Sequence, residues 1–468
     1  SIISTRDVTE ILLQFFSNYS QMNRRLEFIL IIYCVGSGKF CLEFITSMVT
    51  PIFPSVIFKW QNLSSFNSSD NVSGFDQFDY SRLSILYGTK NICQVIVSMT
   101  IGFIVDRIGD LETLLIGMML QGVAVVLYGV GSVYFVLILG RIFEGISSTT
   151  IQCSVSAYIA YKFKSQGNRG KWFGYVSLCM YLAGSVGPSY GGFVYQYYSK
   201  TLAFLLILIP ITFHLIPLII LLVNKRLIIK VKERKLVTDN PNHMETLINS
   251  NKNSSSNIAN IKENIKSEVM NKGSYIRFLL DPYFLIAMNS YPVLFMTYYI
   301  LYATLPRYLK KEFGITEFQQ GLIWSLTSIG YLLGFILGNI LNTKLQNRRH
   351  YVLVVILFVN SFTSVIVCAM PYWWMFAFPV CLIFTQFLVF DMFCPPILSK
   401  ITEKKHDKQY GKMAGLMLTG TSITSSIWSS LGPILLNKIG LFKLNIIIYC
   451  VNLLYIPLIF FLKDFSVK

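Results

Sequence analysis

Six ionisable side chains lie inside long apolar stretches of this 468-residue sequence: Lys39, Glu43, Lys90, Arg141, Glu144 and Asp391. Placing such a group in a bilayer core costs about 2.5–3.5 kcal/mol on insertion scales, so each is expected to face a protein interior and to have a partner or a task. Lys39 and Glu43 are four residues apart and share a helix face, where they can pair. Two readings stand side by side: a self-neutralising pair, or a protonatable carboxylate tuned by the neighbouring ammonium. Arg141 and Glu144 are three apart and also face one way. Arginine keeps its proton, so Arg141 holds Glu144 ionised, organises a proton path, or serves the fold alone. Lys90 and Asp391 have no opposite charge close in sequence and fall in opposite halves of the chain. The expectation is that Lys90 answers Asp391 across a central cavity. While the carboxylate is ionised the two charges attract and hold the halves together. When Asp391 is protonated, or satisfied by a cationic ligand, the attraction falls, which is a physical basis for exchanging protons for a cation. The alternative is that either side chain snorkels to an interface, which the short Asp391 side chain does poorly. His214, also in an apolar stretch, reads as a side chain satisfied by a backbone carbonyl. No nucleophile–base set, phosphate-binding loop or metal-ligand cluster is legible, so no enzyme activity, cofactor or metal is expected.

The elements that position these residues are apolar helices. Hydrophobic residues make up 53% of the chain and charged residues 13%, against about 25% charged in soluble proteins. A crossing of the hydrocarbon core needs about 20 apolar residues. Twelve stretches qualify: Phe28–Phe58, Ser84–Val105, Leu111–Gly131, Val133–Tyr161, Phe173–Tyr198, Leu202–Val223, Tyr283–Tyr302, Gln319–Leu341, Tyr351–Met370, Phe376–Leu398, Ala414–Leu436 and Leu444–Leu462. The first is longer than a signal-peptide core and shows no cleavage site, so it reads as a spanning helix. Residues 225–275 are rich in Lys, Asn and Ser and read as a disordered linker that divides the helices six and six. The expected organisation is an N-terminus (1–26), a first bundle (27–224) with a polar loop at 59–80, the linker (225–275), a second bundle (276–463) and a tail (464–468). The expected fold class is an all-α membrane protein, with twelve transmembrane helices in two pseudo-symmetric six-helix bundles.

The net charge is +17. Its lysines and arginines concentrate in alternate loops, the positive-inside pattern, which places both termini in the cytosol and argues against nucleic acid as a partner. The lipid bilayer is the expected partner surface. The loop at 59–80 then faces away from the cytosol. It carries three glycosylation sequons, at Asn62, Asn67 and Asn71. The nine cysteines lie in or beside spanning stretches, without metal-ligand spacing or a disulfide framework, and read as small packing residues. Gly187-Pro188 and Gly191-Gly192 fall within the fifth stretch, where glycine permits close helix approach and proline removes a backbone hydrogen bond. Short echoes link the halves: "GPSYGG" with "GPILLN", and "GFIVDRIGD" with "GNILNTKLQNRR".

These motifs carry a resemblance. "GFIVDRIGD" resembles the loop signature of the major facilitator superfamily at Gly102, Asp106, Arg107 and Gly109, departing at Asp110, where a basic residue is usual. "RIFEGISS" resembles the family's helix-four motif. The spacing of Gly174, Ala183, Gly187, Pro188, Gly191 and Gly192 resembles the helix-five signature of the drug:proton antiporter branch. Within that branch the chain resembles the vesicular amine (monoamine, acetylcholine, polyamine) transporters. "MVTPIFPS" resembles their paired-proline segment through Pro51 and Pro54. Lys90 falls on the family's helix-two lysine and, within "FDMFCPPILSKITEKKHD", Asp391 on its helix-ten aspartate. Three positions depart. The family's helix-one aspartate falls on Leu42, beside Glu43, and its helix-seven glutamate on Tyr302. Its helix-eleven aspartate has no acidic counterpart in "LTGTSITSSIWSS".

The resemblance implies a monomeric secondary transporter with the major facilitator fold. It implies proton-coupled antiport of a small organic cation into an acidic vesicle or organelle. Asp391 exchanges proton for substrate, Lys90 is its countercharge, and Glu43 or Glu144 assists. Two alternatives stand beside it: a plasma-membrane polyspecific drug exporter or uniporter of the same fold, and a sensor that binds without transporting.

Overall fold

The computed structural model describes residues 24–65, 80–163, 166–239, 275–314, 323–345 and 347–466. They are helical almost throughout. The N-terminal half gives α1 (Arg24–Ser65), α2 (Tyr80–Ile108), α3 (Asp110–Val130), α4 (Tyr134–Lys162), α5 (Gln166–Tyr197) and α6 (Leu208–Asp239), with a short helix Lys200–Leu205 leading into α6. The C-terminal half gives a short helix Tyr275–Leu280, then α7 (Pro282–Phe313), α8 (Thr327–Lys344), α9 (Arg349–Ile366) and α10 (Ala377–Lys405). A last helical stretch, Tyr410–Ile459, is broken at Gly440, whose φ of 78° only glycine adopts at little cost. The break yields α11 (410–439) and α12 (441–459). α1 runs through Pro51 and Pro54 and into the segment read as a polar loop, and α6 runs on through residues 225–239. Residues 240–274 lie outside the described residues, as do Asn67 and Asn71; Asn62 sits near the end of α1.

Two compact units are distinguished. One holds residues 36–212 and 275–468, and with them every residue of the site below. The other holds residues 1–35 and 213–274, of which 24–35 and 213–239 are described and helical; His214 is buried there.

Among the described residues, ten helical segments are long and apolar enough to cross a membrane. α8 shows why water is the wrong solvent. Ile329, Leu332, Leu333, Ile336, Leu337 and Ile340 are exposed along one stripe, while Thr327, Gly330, Tyr331, Gly334, Gly338 and Asn342 are buried on the other. That inverts the pattern of a surface helix of a soluble protein. Apolar side chains face outward to lipid, and small and polar ones face the bundle. α5 and α11 fall outside the ten because they are rich in Gly, Ser, Thr and Tyr. Those residues serve two antiparallel seams that join N-terminal-half helices to C-terminal-half helices.

Along the first seam, α2 meets α11. Asn91 donates to Ser425 (3.1 Å), Ser422 to Gln94 (3.2 Å), and Ser98 shares a hydrogen bond with Thr419 (2.6 Å). Further along the backbones touch: a Cβ on Gly415 would lie 2.6 Å from the Ser98 carbonyl oxygen, and one on Gly102 2.7 Å from that of Gly411. Along the second seam, α5 meets α8. Ser185 bonds Thr327 (3.2 Å), Tyr181 stacks on Tyr331 with centroids 4.4 Å apart, and Gly170 abuts Asn342. α10 packs against α5, α7, α8 and α9 and is buried over most of its length from Val380 to Thr402, which carries Asp391 into the interior.

The first seam gives a stability prediction. Gly415→Val has no room against the Ser98 carbonyl. It is expected to lower stability by about 1–3 kcal/mol, read as a lower thermal midpoint of the purified protein in detergent.

Candidate functional site

The site has two parts. The first is built from α1, α2, α3 and α4. Gly145 lets α4 approach α2 so closely that a Cβ there would lie 2.9 Å from the Lys90 carbonyl oxygen. One residue away, Glu144 is fully buried and surrounded by donors. Arg141 Nη1 lies 2.8 Å from Oε2, Lys90 Nζ lies 3.0 Å from Oε1, and the Tyr128 hydroxyl donates to Oε2. Thr46 Oγ1 is 2.9 Å from Oε1 and also accepts from Lys90 Nζ at 2.6 Å. The Arg141 guanidinium is held over the rings of Phe53 (4.8 Å) and Tyr87 (5.1 Å). A buried carboxylate with this many partners satisfies both oxygens. Two cations share it, so the cluster carries one uncompensated positive charge.

The second part surrounds Asp391. Its Oδ2 accepts from the Tyr181 hydroxyl at 2.8 Å, a bond from α5 to α10 that joins the two halves. Ser177 and Tyr291 lie near this carboxylate, but the buried Tyr291 hydroxyl makes no hydrogen bond among the described residues. Tyr181 stacks on Tyr331, Tyr331 packs on Phe384 (4.8 Å), and Tyr291 meets Phe390 edge-on (4.8 Å). The carboxylate is thus held by a tyrosine that belongs to an aromatic cluster, and aromatic rings suit an organic cation.

Lys39, Glu43 and Thr46 occupy successive turns on one face of α1. Lys39 is buried, and the charge acting on it most strongly is Asp391, ahead of Glu43. Glu43 is half-buried beside Gly184 of α5; its strongest charged neighbour is Lys90, followed by Lys39. Tyr299 and Tyr331 of the second half feel its charge.

One expectation needs correction, and one open pair of readings is narrowed. Lys90 does not answer Asp391: its ammonium is taken by Glu144 and Thr46 within its own half. The reason is the close α2–α4 contact at Gly145, which brings Glu144 within reach before anything from α10. Lys39 and Glu43, despite their spacing, form no ion pair within 4.0 Å among the described residues. Asp391 outweighs Glu43 at Lys39, and Lys90 outweighs Lys39 at Glu43. The cation whose charge acts on Asp391 is Lys39, from α1. Tyr181, Tyr331, Tyr291, Thr46 and Tyr128 were not singled out in the sequence; a tyrosine in an apolar helix carries no signal of which neighbour its hydroxyl meets.

A third group lies at the Ile108 end of α2. Asp106 accepts from the backbone N–H of Gly411 (2.7 Å) and Lys412 (2.9 Å), capping the first turn of α11. An anion at a helix N-terminus satisfies orphan donors and the helix dipole together. Gly109, at φ 117°, makes the turn into α3, and Arg107 is exposed. At the echo positions of the second half, Gly338 and Asn342 lie by Gly170 at the start of α5. There Asn342 Oδ1 accepts from the buried Arg349 (2.7 Å), which also donates to the Met392 carbonyl (3.1 Å). At the same end Arg169 of α5 pairs with Glu403 of α10 (3.0 Å). In the middle of α5, a Cβ on Gly187 would lie 2.8 Å from the Phe44 carbonyl oxygen and one on Gly191 2.7 Å from that of Met48, so these glycines set α5 against α1; Pro188 and Gly192 lie in the same helical stretch. The side chains of Pro51 and Pro54 lie outside the described residues.

Apolar helices around a charged interior, with two seams between repeated halves, make a multi-pass membrane transporter of a small molecule rather than an enzyme. The chain belongs to the Major Facilitator Superfamily, whose model matches residues 35–288 and 287–467. It is 22% identical over 388 residues to the vesicular acetylcholine transporter of Tetronarce californica, covering 82% of this chain and 67% of that protein. It is 23% identical over 454 residues to the probable vesicular acetylcholine transporter-A of Danio rerio, covering 95% and 80%. The chromaffin granule amine transporter of Rattus norvegicus is 23% identical over 384 residues, covering 82% and 66%. Among solved structures, the human organic anion transporter MFSD10 superposes with a TM-score of 0.63 at 12% identity, covering 92% of this chain and 99% of that one. The proton:xylose symporter XylE superposes at 0.66 with 13% identity, covering 93% and 95%. These two likenesses support the fold.

The contrast between the carboxylates is testable. Glu144→Gln leaves Lys90 and Arg141 buried without an anion and is expected to cost about 3–5 kcal/mol of stability. Asp391→Asn keeps an acceptor for Tyr181 and is expected to cost less. Thermal melts of the two purified variants compare them directly.

Proposed function

We propose that this transporter is a proton-coupled antiporter that moves a small organic amine from the cytosol into an acidic vesicle or organelle by alternating access. Both termini face the cytosol in this reading, the protein works as a monomer, and protons are the exchanged partner. The observation that carries it is Asp391: a buried interior carboxylate held by the hydroxyl of Tyr181, a tyrosine stacked on Tyr331 of the other half, with the charge of Lys39 acting on it. A proton and an ammonium both neutralise that carboxylate, so the two compete for one acceptor. Competition at a single site, reached alternately from each side, is sufficient for exchange. The vesicular relatives named above support a vesicle membrane and an amine.

Roles follow from the surroundings. Asp391 is the exchange site. Glu43, half-buried and without an ion pair among the described residues, is the second carboxylate available to a proton. Glu144 is too well satisfied to exchange anything and, with Arg141 and Lys90, stiffens the first half. Asp106 on the first turn of α11, with Arg169 on Glu403, holds the cytosolic end closed and must release for substrate to enter from that side.

The test is uptake of radiolabelled amines into proteoliposomes with an imposed pH gradient, acidic inside. Uptake is expected to stop when the gradient is collapsed and to fall by at least about tenfold in Asp391→Asn, the loss of one charge-assisted contact. Uptake that persists in both cases would contradict the proposal. Asp106→Asn weakens the cap and is expected to change the uptake rate while leaving equilibrium amine binding intact.

A further inference from the structure

Tyr181, on α5 of the first half, is gripped by the second half at two points. Its hydroxyl donates to Asp391 Oδ2 on α10 at 2.8 Å. Its ring lies parallel to that of Tyr331 on α8, with centroids 4.4 Å apart. α8 and α10 present these two groups as one unit, because their backbones touch. A Cβ on Gly334 would lie 2.6 Å from the Thr385 carbonyl oxygen, Gly330 abuts the Cys381 carbonyl, and Thr385 Oγ1 donates to the Gly330 carbonyl at 3.0 Å. One turn along α5, Ser185 Oγ bonds the Tyr181 carbonyl (3.2 Å) and Thr327 of α8 (3.2 Å). Tyr181 and Asp391 are both buried. A first-half hydroxyl is thus lodged in a rigid corner of the second half.

The strength of this bond depends on the charge of the carboxylate. A hydrogen bond to an ionised acceptor is roughly twice as strong as one between neutral groups. A proton on Asp391, or an ammonium on Oδ2, takes that charge. The hydroxyl keeps its own proton but loses its strong acceptor. The ring stack and the Ser185–Thr327 bond then hold this turn of α5 with less help.

We propose that Tyr181 is the positioning residue that couples occupancy of Asp391 to movement of the halves. Its hydroxyl holds the oxygen that an incoming ammonium must take, and its displacement loosens α5 from α8 and α10. This rests on the amine reading above and deepens it. A proton and an ammonium break the same tie, so the empty, ionised carrier is the form that is held still. That is what an exchanger needs. A carrier that reorients empty after delivering a proton leaks protons without moving amine.

The experiment uses the full-length protein in proteoliposomes, acidic inside, with potassium and valinomycin clamping the potential and a trapped pH dye reading proton loss. No amine is present. Tyr181→Phe keeps the ring and loses the hydroxyl, and is expected to leak protons about two- to tenfold faster than wild type, the loss of one net hydrogen bond. Tyr181→Met also lacks the hydroxyl and is expected to leak at least as fast. Tyr331→Phe, whose hydroxyl makes no hydrogen bond to Asp391 among the described residues, is expected to match wild type. Adding Asp391→Asn to Tyr181→Phe is expected to abolish the extra leak. Thermal stabilisation of the purified protein by phenethylamine, spermidine and acetylcholine is the second readout. For an amine that stabilises the wild type, the half-saturating concentration should fall in Tyr181→Phe by a similar factor, which a merely structural defect would not produce. A Tyr181→Phe protein as tight to protons as wild type, an extra leak that survives Asp391→Asn, or weaker amine binding overturns the coupling role and leaves the amine reading standing. No stabilisation of the wild type by these amines counts against the amine reading alone, and the proton leak still decides the role of Tyr181.

Discussion

The structure depends on how six charges are distributed in a space with little water. Three are cations, Lys39, Lys90 and Arg141, and three are carboxylates, Glu43, Glu144 and Asp391; the buried Arg349 stands apart, on Asn342 and the Met392 carbonyl. Without partners for its charges the interior would be too costly to assemble, because an uncompensated buried ion destabilises by several kcal/mol. The distribution is uneven. Glu144 takes two cations and two hydroxyls, whereas Asp391 takes the Tyr181 hydroxyl and has no ion pair among the described residues. The over-satisfied carboxylate fixes a bundle. The under-satisfied one can accept a proton or a ligand without dismantling it.

The seams extend the same division of labour. α2 and α11 are joined by side-chain hydrogen bonds and then by backbone contact at Gly102, Gly411 and Gly415, ending at the Asp106 cap. α5 and α8 are joined by the Tyr181–Tyr331 stack and the Gly170–Asn342 contact. The two junctions repeat in geometry and differ in charge. Asp106 meets backbone amides with a full negative charge; Asn342, at the echo position, is neutral and engages Arg349. Tyr181 serves a seam and Asp391 at once, so a change in the charge of the carboxylate bears directly on a contact between the halves.

Much of this was legible in the sequence. Length and hydropathy marked the helices, because lipid leaves the backbone few other choices. The interior charges stood out because each was an exception in an apolar stretch. The echo of Gly102 and Asp106 in Gly338 and Asn342 foretold the repeated junction. Pairing was not legible. Lys90 and Asp391 matched as the two charges without sequence neighbours, but partners across helices are set by which helices touch. That was decided at Gly145, which the sequence marked only as part of "RIFEGISS". The polar face of α11 was read as an absence, since it lacks an acidic residue; in the fold its serines and threonines hold the first seam. Breaks in hydropathy were legible where glycine made a turn, at Gly109 and Gly440, and less so at the ends of α1 and α6, where helix runs on into polar sequence.

The central claim is that Lys39, and not Lys90, is the cation coupled to Asp391 across the halves. Double-mutant cycles on the unfolding of the substrate-free protein measure this directly, using Lys39→Gln and Lys90→Gln, each combined with Asp391→Asn. The expected result is an interaction energy of about 0.5–3 kcal/mol for the Lys39 cycle and additivity within about 0.5 kcal/mol for the Lys90 cycle. Additivity for Lys39 together with coupling for Lys90 would contradict the arrangement of charge described above.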